Sequence, residues 1–147
     1  MKKRIVIGSD HGAVELKSRI IRHLEERGDE VRDMGVFNQE SVDYPDIVRD
    51  TVREFRKKEY SCGIICCGTG IGVSMSANKY HGIRCALPQD SYAAEMAKLH
   101  NNANFIAFGG RVSYKDTIES MLDAFLNTEF EGGRHASRVQ KMMDQEE

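Results

Sequence analysis

The chain has 147 residues, enough for one domain, and its 40% hydrophobic and 30% charged residues are typical of a globular protein with an ordinary core. Its net charge of −2 comes from charges of both signs mixed along the chain, which excludes the basic footprint of a nucleic-acid-binding protein. No apolar run approaches the roughly 20 residues of a membrane span, and the apolar run near the start is too short for a signal peptide, so we expect a cytoplasmic protein with one domain over residues 1–147.

The four cysteines stand at positions 62, 66, 67 and 85. They form no CxxC pair, and no pair of histidines with zinc-ligand spacing lies nearby, so we predict no metal site. Cys66 and Cys67 are adjacent and would point to opposite faces of a strand, so a disulfide between them would be strained. We therefore expect free thiols in a reducing compartment.

Strand-like and helix-like segments alternate along the chain. Apolar runs typical of strands occupy residues 4–8, 30–35, 62–68, 83–87 and 104–110. Helical patterns run from Ala13 to Arg27, after residue 45, after the glycine-rich turn at 68–72, over 90–99 and from Ile118 to Leu126. This alternation predicts an α/β fold, with a five-stranded parallel sheet covered by helices on both faces.

Polar residues stand next to the ends of several predicted strands. They are Asp10 and His11, Asp43 and Tyr44, residues 67–70, His100 and Asn101, and residues 109–111. Any one of these groups could be ordinary turn chemistry, since Asp, Asn and Gly favour turns. In parallel sheets, however, ligands bind beyond the carboxyl ends of the strands. We therefore expect the five groups to converge at one edge and to form a site.

The glycine-rich loop has the pattern G-x-G-x-G, with Gly68, Gly70 and Gly72. A dinucleotide-binding loop would need glycine where Val73 stands, and the chain contains no Walker A string. What remains is a group of backbone N–H groups where a helix begins, which stabilises negative charge on either a phosphate or an enolate oxygen. The alternative is that the glycines only permit a tight turn.

Cys67 is the last residue of the third predicted strand, next to these N–H groups. A thiol in such a place is expected to favour its thiolate form. Cys66 would point to the opposite face, and we interpret Cys62, Cys66 and Cys85 as small apolar core residues. Cys67 is therefore the candidate for chemistry.

The C-terminal segment predicts an extra amphipathic helix after the last strand. Arg134 and Arg138 are four residues apart and so share one helical face, while Val139, Met142 and Met143 form an apolar one. Such a helix often docks on a neighbouring subunit, and its arginines could then reach a ligand phosphate. The alternative is a solvated charged helix.

Six strings together resemble the ribose-5-phosphate isomerase type B family, which includes allose-6-phosphate and galactose-6-phosphate isomerases. They are SDHGAVELK (9–17), DYPD (43–46), CGTGIGVSMSANK (67–79), GIRCAL (82–87), HNNANFIAFGGRV (100–112) and EGGRHASRV (131–139). They span nearly the whole chain and are specific only as a set.

The resemblance implies a Rossmann-like, three-layer α/β/α sandwich and a homodimer with active sites at the subunit interface, sometimes paired into tetramers. It also implies an aldose–ketose isomerase of the pentose phosphate pathway that needs no metal or organic cofactor. The expected reaction interconverts ribose 5-phosphate and ribulose 5-phosphate. A hexose 6-phosphate such as that of allose or galactose remains an alternative substrate, because pocket size cannot be read from the sequence.

By the same resemblance, Cys67 is the base that moves the proton, His100 assists opening of the sugar ring and Asp10 positions the substrate. The loop Gly68, Thr69, Gly70, Ile71, Gly72 would hold the enediolate oxygen. Phosphate-binding positions match His11, Arg111, Arg134 and Arg138, some of them donated by the other subunit, and sugar-contacting positions match Tyr44 and Asn101. Some members carry instead a glutamate base just after the third glycine, where this chain has Val73.

Two other functions are weighed against an isomerase. A non-catalytic sugar-phosphate or nucleotide binding module would explain the glycines and arginines, but it has no need of Cys67 and His100. A thiol redox protein is disfavoured because adjacent cysteines without CxxC spacing make a poor redox pair.

Overall fold

In a computed structural model, residues 2–57 and 59–147 are described, and Met1 and Lys58 lie outside the described residues. Five strands alternate with six α-helices in the described part of the chain. The strands are β1 (Arg4–Ser9), β2 (Glu30–Asp33), β3 (Cys62–Cys67), β4 (Cys85–Ala86) and β5 (Phe105–Gly109). The helices are α1 (Val14–Glu26), α2 (Tyr44–Phe55), α3 (Ile71–Ala77), α4 (Ser91–Leu99), α5 (Ile118–Leu126) and α6 (Arg134–Met143). None of the helices in this part of the chain has the length and apolar character needed to span a membrane.

The strands form one sheet in the order β2-β1-β3-β5-β4, and each neighbouring pair is parallel. The predicted five-stranded parallel sheet is therefore confirmed. In the register, Ser9 pairs with Cys66 and Cys67 pairs with Gly109, so β1, β3 and β5 end close together. This register places the loops after the three central strands side by side.

Two helix layers cover the sheet, because the side chains of the buried strands alternate between its faces. Ile64, Cys66 and Phe108 pack in a cluster with buried residues of α1, α4 and α5. Ile65, Cys67 and Phe105 pack in a second cluster with buried residues of α2 and α3. Every residue of β3 and β5 is buried, as their continuous apolar sequence predicts. The three-layer architecture is therefore confirmed.

The fourth strand is shorter than predicted. The sequence predicts a strand over 83–87, but β4 pairs with β5 through only two residues, Cys85 and Ala86. Side chains compete with the ladder at this edge: Asn78 Oδ1 accepts from the Cys85 N–H at 2.8 Å, and Asn104 Oδ1 accepts from the Arg84 N–H at 2.8 Å. These amide groups take the place of a longer ladder.

The predicted C-terminal helix is present as α6, and it is tied to the fold at both ends. Near its start, His135 is the one buried residue of the helix. Near its end, Arg84 Nη1 lies 3.8 Å from Met143 Sδ, and the Gly82 N–H donates to Glu146 Oε1 at 2.8 Å. These contacts hold α6 against the loop before β4.

Candidate active site

Three loops at the carboxyl edge of the sheet are joined by backbone hydrogen bonds. The Asp10 N–H donates to the Cys66 carbonyl at 3.1 Å, and the Gly110 N–H donates to the Cys67 carbonyl at 2.8 Å. Asp10 is buried, and its carboxylate accepts from the Gly12 N–H at 2.8 Å. The loops after β1, β3 and β5 are thus held as one unit around the end of β3.

The glycine loop wraps around the Cys67 sulfur. The Gly70 N–H donates to Cys67 Sγ at 3.1 Å, and the Ile71 N–H donates to Thr69 Oγ1 at 3.2 Å. Gly70 has a φ of 79°, and a Cβ there would lie 2.9 Å from the carbonyl carbon of Phe108. Only glycine fits this position, and its fit brings an N–H group onto the sulfur. Two N–H groups of the loop are therefore engaged within the loop itself.

The aromatic ring of Tyr44 forms a wall of this loop. Tyr44 is the first residue of α2, and a Cβ on Gly72 would lie 2.7 Å from Tyr44 Cζ. Close approach of the ring therefore depends on glycine at this position. The Tyr44 side chain remains 39% exposed, so it is available to a ligand above the loop.

Two basic side chains stand at the same edge. The Arg111 N–H donates to the Gly68 carbonyl at 2.9 Å, and a Cβ on Gly68 would lie 3.4 Å from Arg111 Nη1. His11 Nδ1 accepts from the Val42 N–H at 3.2 Å, which leaves Nε2 as the ring's donor. A cavity of about 250 Å³ is lined by His11, Gln39 and Arg111, and also by Glu15. His11 and Arg111 offer the donors of an anion-binding site, while the Glu15 carboxylate at the same cavity opposes an anion.

His100 and Asn101 lie at the opposite edge of the sheet, and the prediction that they converge with Cys67 inside one chain is wrong. Because β4 and β5 are parallel, α4 must carry the chain back to the amino ends of the strands. There the Gly63 N–H donates to the Asn104 carbonyl at 2.9 Å. The length of β3, about 16 Å at roughly 3.3 Å per residue, separates this end from Cys67.

A second cluster surrounds His100. The imidazole of His135 stacks on that of His100, with ring centroids 4.1 Å apart and planes 11° apart. Glu131 Oε2 lies 3.3 Å from His135 Nε2 and 3.8 Å from His100 Nε2. Arg134 and Arg138 are exposed on α6, the helix that carries His135. The predicted site residues therefore fall into two groups, one at each edge of the sheet.

Sequence reasoning missed Glu131 and His135. Both stand in the string EGGRHASRV, in which only the two arginines were predicted to bind a ligand. The sequence carried one signal for them: His135 directly follows Arg134, and the carboxylate of Glu131 lies four residues before His135. The contact with His100, 35 positions away along the chain, has no trace in local spacing.

His100, Glu131 and His135 are also the residues that could offer ligand atoms to a metal ion, all within 4.8 Å of one another. The two imidazole planes are nearly parallel, 11° apart, so in-plane lone pairs on the two rings lie in separate planes. Ligands of one ion must instead converge on a point. The cluster is arranged as a stack of rings rather than as a chelate.

The four cysteines are free, and their environments differ. Cys66 and Cys62 are buried among the helices of the first cluster, where burial raises the pKa of both thiols, that of Cys62 to about 12. Burial also raises the pKa of half-buried Cys85 to about 12. The predicted core packing of Cys62 and Cys66 is confirmed. Cys67 faces the other helix layer, with its sulfur at the glycine loop.

Residues 5–142 match the family model described as Ribose/Galactose Isomerase. The chain belongs to the ribose/galactose isomerase family. Within it, ribose-5-phosphate isomerase B of Escherichia coli (strain K12) is 41% identical over 138 residues, which cover 94% of this chain and 93% of that protein.

Solved structures in the family agree with the fold described above. Ribose-5-phosphate isomerase B of Clostridium thermocellum superposes with a TM-score of 0.91 at 46% identity, covering 96% of this chain and 95% of that one. A ribose 5-phosphate isomerase of Thermotoga maritima superposes with a TM-score of 0.92 at 42% identity, covering 97% of this chain and 98% of that one. The resemblance noted in the sequence is therefore confirmed across nearly the full length.

Proposed function

We propose that this chain is a ribose-5-phosphate isomerase that interconverts ribose 5-phosphate and ribulose 5-phosphate through an enediolate, with Cys67 as the base. Family membership supports the reaction, because relatives at about 40% identity carry that name. The observation that carries the role of Cys67 is its sulfur at the end of β3, in contact with the N–H of the glycine loop. A non-catalytic binding module would not need this arrangement.

The reaction requires a base near C2 of the aldose and donors at the carbonyl oxygen where charge develops. A positioned base contributes about 10²–10⁴-fold, and loss of one such donor costs about 3–4 kcal/mol. Cys67 would take the proton from C2 and return it to C1, while a second proton passes from O2 to O1. The loop Gly68–Gly72 and the Thr69 hydroxyl would face the developing oxyanion. Asp10, held by the Gly12 N–H, would orient the sugar hydroxyls beside it. These steps need only proton transfer, so we propose that no metal or organic cofactor takes part.

The phosphate would bind at the other end of the substrate, in the cavity between His11 and Arg111. Arg111 lies over Gly68, so the same loop positions the anchor and the reacting end. A phosphate held there directs binding energy to orient the carbons at Cys67. Tyr44, which lies against Gly72, would cover the sugar.

We propose that a second copy of the chain completes the site. His100 and Asn101 lie at the far edge of the sheet, about 16 Å from Cys67 along β3, a gap wider than a five-carbon sugar phosphate. Arg134 and Arg138 belong to the same distant group. A homodimer that brings this group of one copy to the loop of the other would supply the ring-opening histidine and two more phosphate ligands, with a pair of dimers as a larger form.

The family name covers more than one sugar, so the substrate is to be tested against hexose phosphates. We favour ribose 5-phosphate because the named relatives above are ribose 5-phosphate isomerases. We place the reaction in the cytoplasm, in keeping with four free thiols. A comparison of kcat/KM for ribose 5-phosphate, allose 6-phosphate and galactose 6-phosphate distinguishes the candidates.

Cys67→Ala tests the mechanism. We expect isomerisation to fall by at least about 10²-fold, because the base is lost, while a non-isomerisable substrate analogue still binds by calorimetry. Cys66→Ala is the matched control: its thiol is buried on the other face, so turnover stays near that of the wild type. Full turnover by Cys67→Ala would remove Cys67 as the base, and binding without isomerisation of any sugar phosphate by the wild type would favour a binding module.

A further inference from the structure

The His135 side chain is placed under that of His100 by the loop and helix that follow α5. His135 is 6% exposed and is the one buried residue of α6. The Glu131 N–H donates to the Leu99 carbonyl at 3.0 Å, which ties the loop before α6 to the end of α4. His100 directly follows Leu99, so this bond holds the two backbone segments together beside the stacked rings.

Burial of His135 carries an energetic cost. Its Nε2 is buried and has no hydrogen-bond partner among the described residues, although Glu131 Oε2 is 3.3 Å away in poor alignment. A buried polar atom without a hydrogen-bond partner is unfavourable, because it gives up its hydrogen bonds to water on folding. An apolar side chain would fill the same place without this cost. The presence of a histidine at this position is therefore best explained by its contact with His100.

We propose that His135 is a positioning residue: its ring holds the imidazole of His100 in the plane needed to open the furanose ring of the substrate. This inference rests on the proposed function, in which His100 assists ring opening. It assigns no contact between His135 and the substrate. Its basis is the stack itself, with centroids 4.1 Å apart and planes 11° apart.

Ring opening is a proton relay that a fixed imidazole can perform. The anomeric hydroxyl gives up its proton, the C1–O4 bond breaks as the C1 carbonyl forms, and the ring oxygen takes up a proton. One imidazole that accepts the first proton and returns one to the ring oxygen balances the step. Since a misplacement of 1 Å can cost about 10²-fold in rate, the orientation of His100 matters.

A neutral ring is the suitable neighbour for an imidazole that must carry a proton. Burial lowers the pKa of His135, the nearby His100, Arg134 and Arg138 lower it further, and Glu131 opposes them. These four groups are the charged and titratable neighbours that shift the pKa of His135. The stacked ring is therefore uncharged at neutral pH, and it does not repel a proton on His100 at 4.1 Å.

The direction of the reaction separates positioning from a general structural role. Ribulose 5-phosphate carries its phosphate on the C5 oxygen and cannot close a furanose ring, so it reaches the enzyme in open-chain form. Ribose 5-phosphate must first be opened. A defect in His100 therefore slows the reaction from the furanose form of ribose 5-phosphate. It spares the reaction from ribulose 5-phosphate, because the aldose formed by Cys67 and the loop can leave the enzyme in open-chain form and close its ring in solution.

The test measures initial rates in both directions for His135→Ala and His135→Phe. For His135→Ala we expect kcat from ribose 5-phosphate to fall by about tenfold or more. From ribulose 5-phosphate it should stay within about twofold, with KM little changed. His135→Phe keeps a flat neutral ring and should recover most of the lost rate. His81→Ala, an exposed histidine outside the proposed site, should match the wild type in both directions.

Equal losses in both directions, or no loss in either, would overturn the positioning role. If His135→Ala does not fold by circular dichroism, His135→Leu replaces it, because Leu fills the volume without a flat ring. The same asymmetry is then expected, and its absence again overturns the proposal. Failure of the proposed function shows separately, since Cys67→Ala would then retain turnover.

Discussion

The two edges of the sheet hold their functional groups in different ways. At the carboxyl edge, Cys67 and Arg111 are fixed by strand ends and by hydrogen bonds among three neighbouring loops. At the amino edge, His100 is fixed by the end of a helix and by the ring of His135. The first group is built into the sheet, while the second is attached to its outside. The cysteine proposed as the base is thus held rigidly, and the groups proposed for ring opening and for part of the phosphate site stand on the outer elements.

Mixing two inactive variants tests whether the edges meet between copies. Cys67→Ala removes the base and His100→Ala removes the ring-opening group, so each homodimer should be nearly inactive from ribose 5-phosphate. After joint unfolding and refolding of equal amounts, half the dimers carry one intact site out of two, and activity should return to about a quarter of the wild type. Activity is measured as kcat per chain, with dimer formation followed by light scattering.

Refolding each variant alone is the control and should restore nothing. A mixture of dimers that stays inactive would show that the two residues do not act in one shared site.

Substitution of Gly70 tests the carboxyl edge. Gly70→Ala places a side chain at a φ of 79° and 2.9 Å from the Phe108 carbonyl carbon, so the loop must shift off Cys67. We expect a loss of about 2–4 kcal/mol in unfolding free energy and about 10²-fold in kcat. Urea unfolding and steady-state kinetics measure the two effects.

Gly28→Ala is its matched control. Gly28 has a φ of 90°, but a Cβ there meets nothing within 4 Å, so only the backbone strain of about 1–2 kcal/mol applies. Its kcat should be unchanged. If both variants lose the same activity, the close fit of Gly70 is not what positions the loop.

His135, at the amino edge of the sheet, should make the stability of the protein depend on pH. Folding lowers the pKa of His135 below its ordinary value of about 6.5. As the pH falls through and below that value, the unfolded chain therefore binds a proton at His135 more readily than the folded chain does. Stability contributed by the neutral ring is therefore lost as the medium becomes acidic. His135→Gln does not titrate, and its unfolding free energy should fall less steeply between about pH 7 and pH 5.

The difference between the two curves, measured by urea unfolding, isolates this one group. Parallel curves would show that His135 keeps its ordinary proton affinity in the folded chain.

The sequence predicted well those helices and strands whose buried face is set by a single apolar repeat. The helix from Ile118 to Leu126 has the bounds expected from its apolar spacing, because that spacing alone decides which face is buried. The fourth strand was predicted too long, because the side chains of Asn78 and Asn104 take hydrogen bonds that a propensity argument assigns to the ladder. Competition of that kind depends on residues distant in the chain.

The site followed the same division. The positions of Asp10, Cys67 and Arg111 at one edge could be predicted, since parallel strands must end together. The position of His100 was predicted wrongly. A residue just before a strand lies at the opposite edge of a parallel sheet from a residue just after one. The partnership of His100 with His135 depends on how α6 packs on the end of α4, which no periodicity encodes.

The central place of β3 in the sheet has a consequence for how the protein opens. This strand is hydrogen-bonded on both sides, to β1 and β5, and every residue in it is buried. Its amide hydrogens should exchange with solvent only through global unfolding, whereas α6, with one buried residue, should open at much lower cost. Cys67 is thus carried by one of the most protected segments of the chain, and Arg134 and Arg138 by one of the least protected. If these arginines bind the phosphate as proposed, its capture and release can proceed by fluctuations of α6 that leave Cys67 undisturbed.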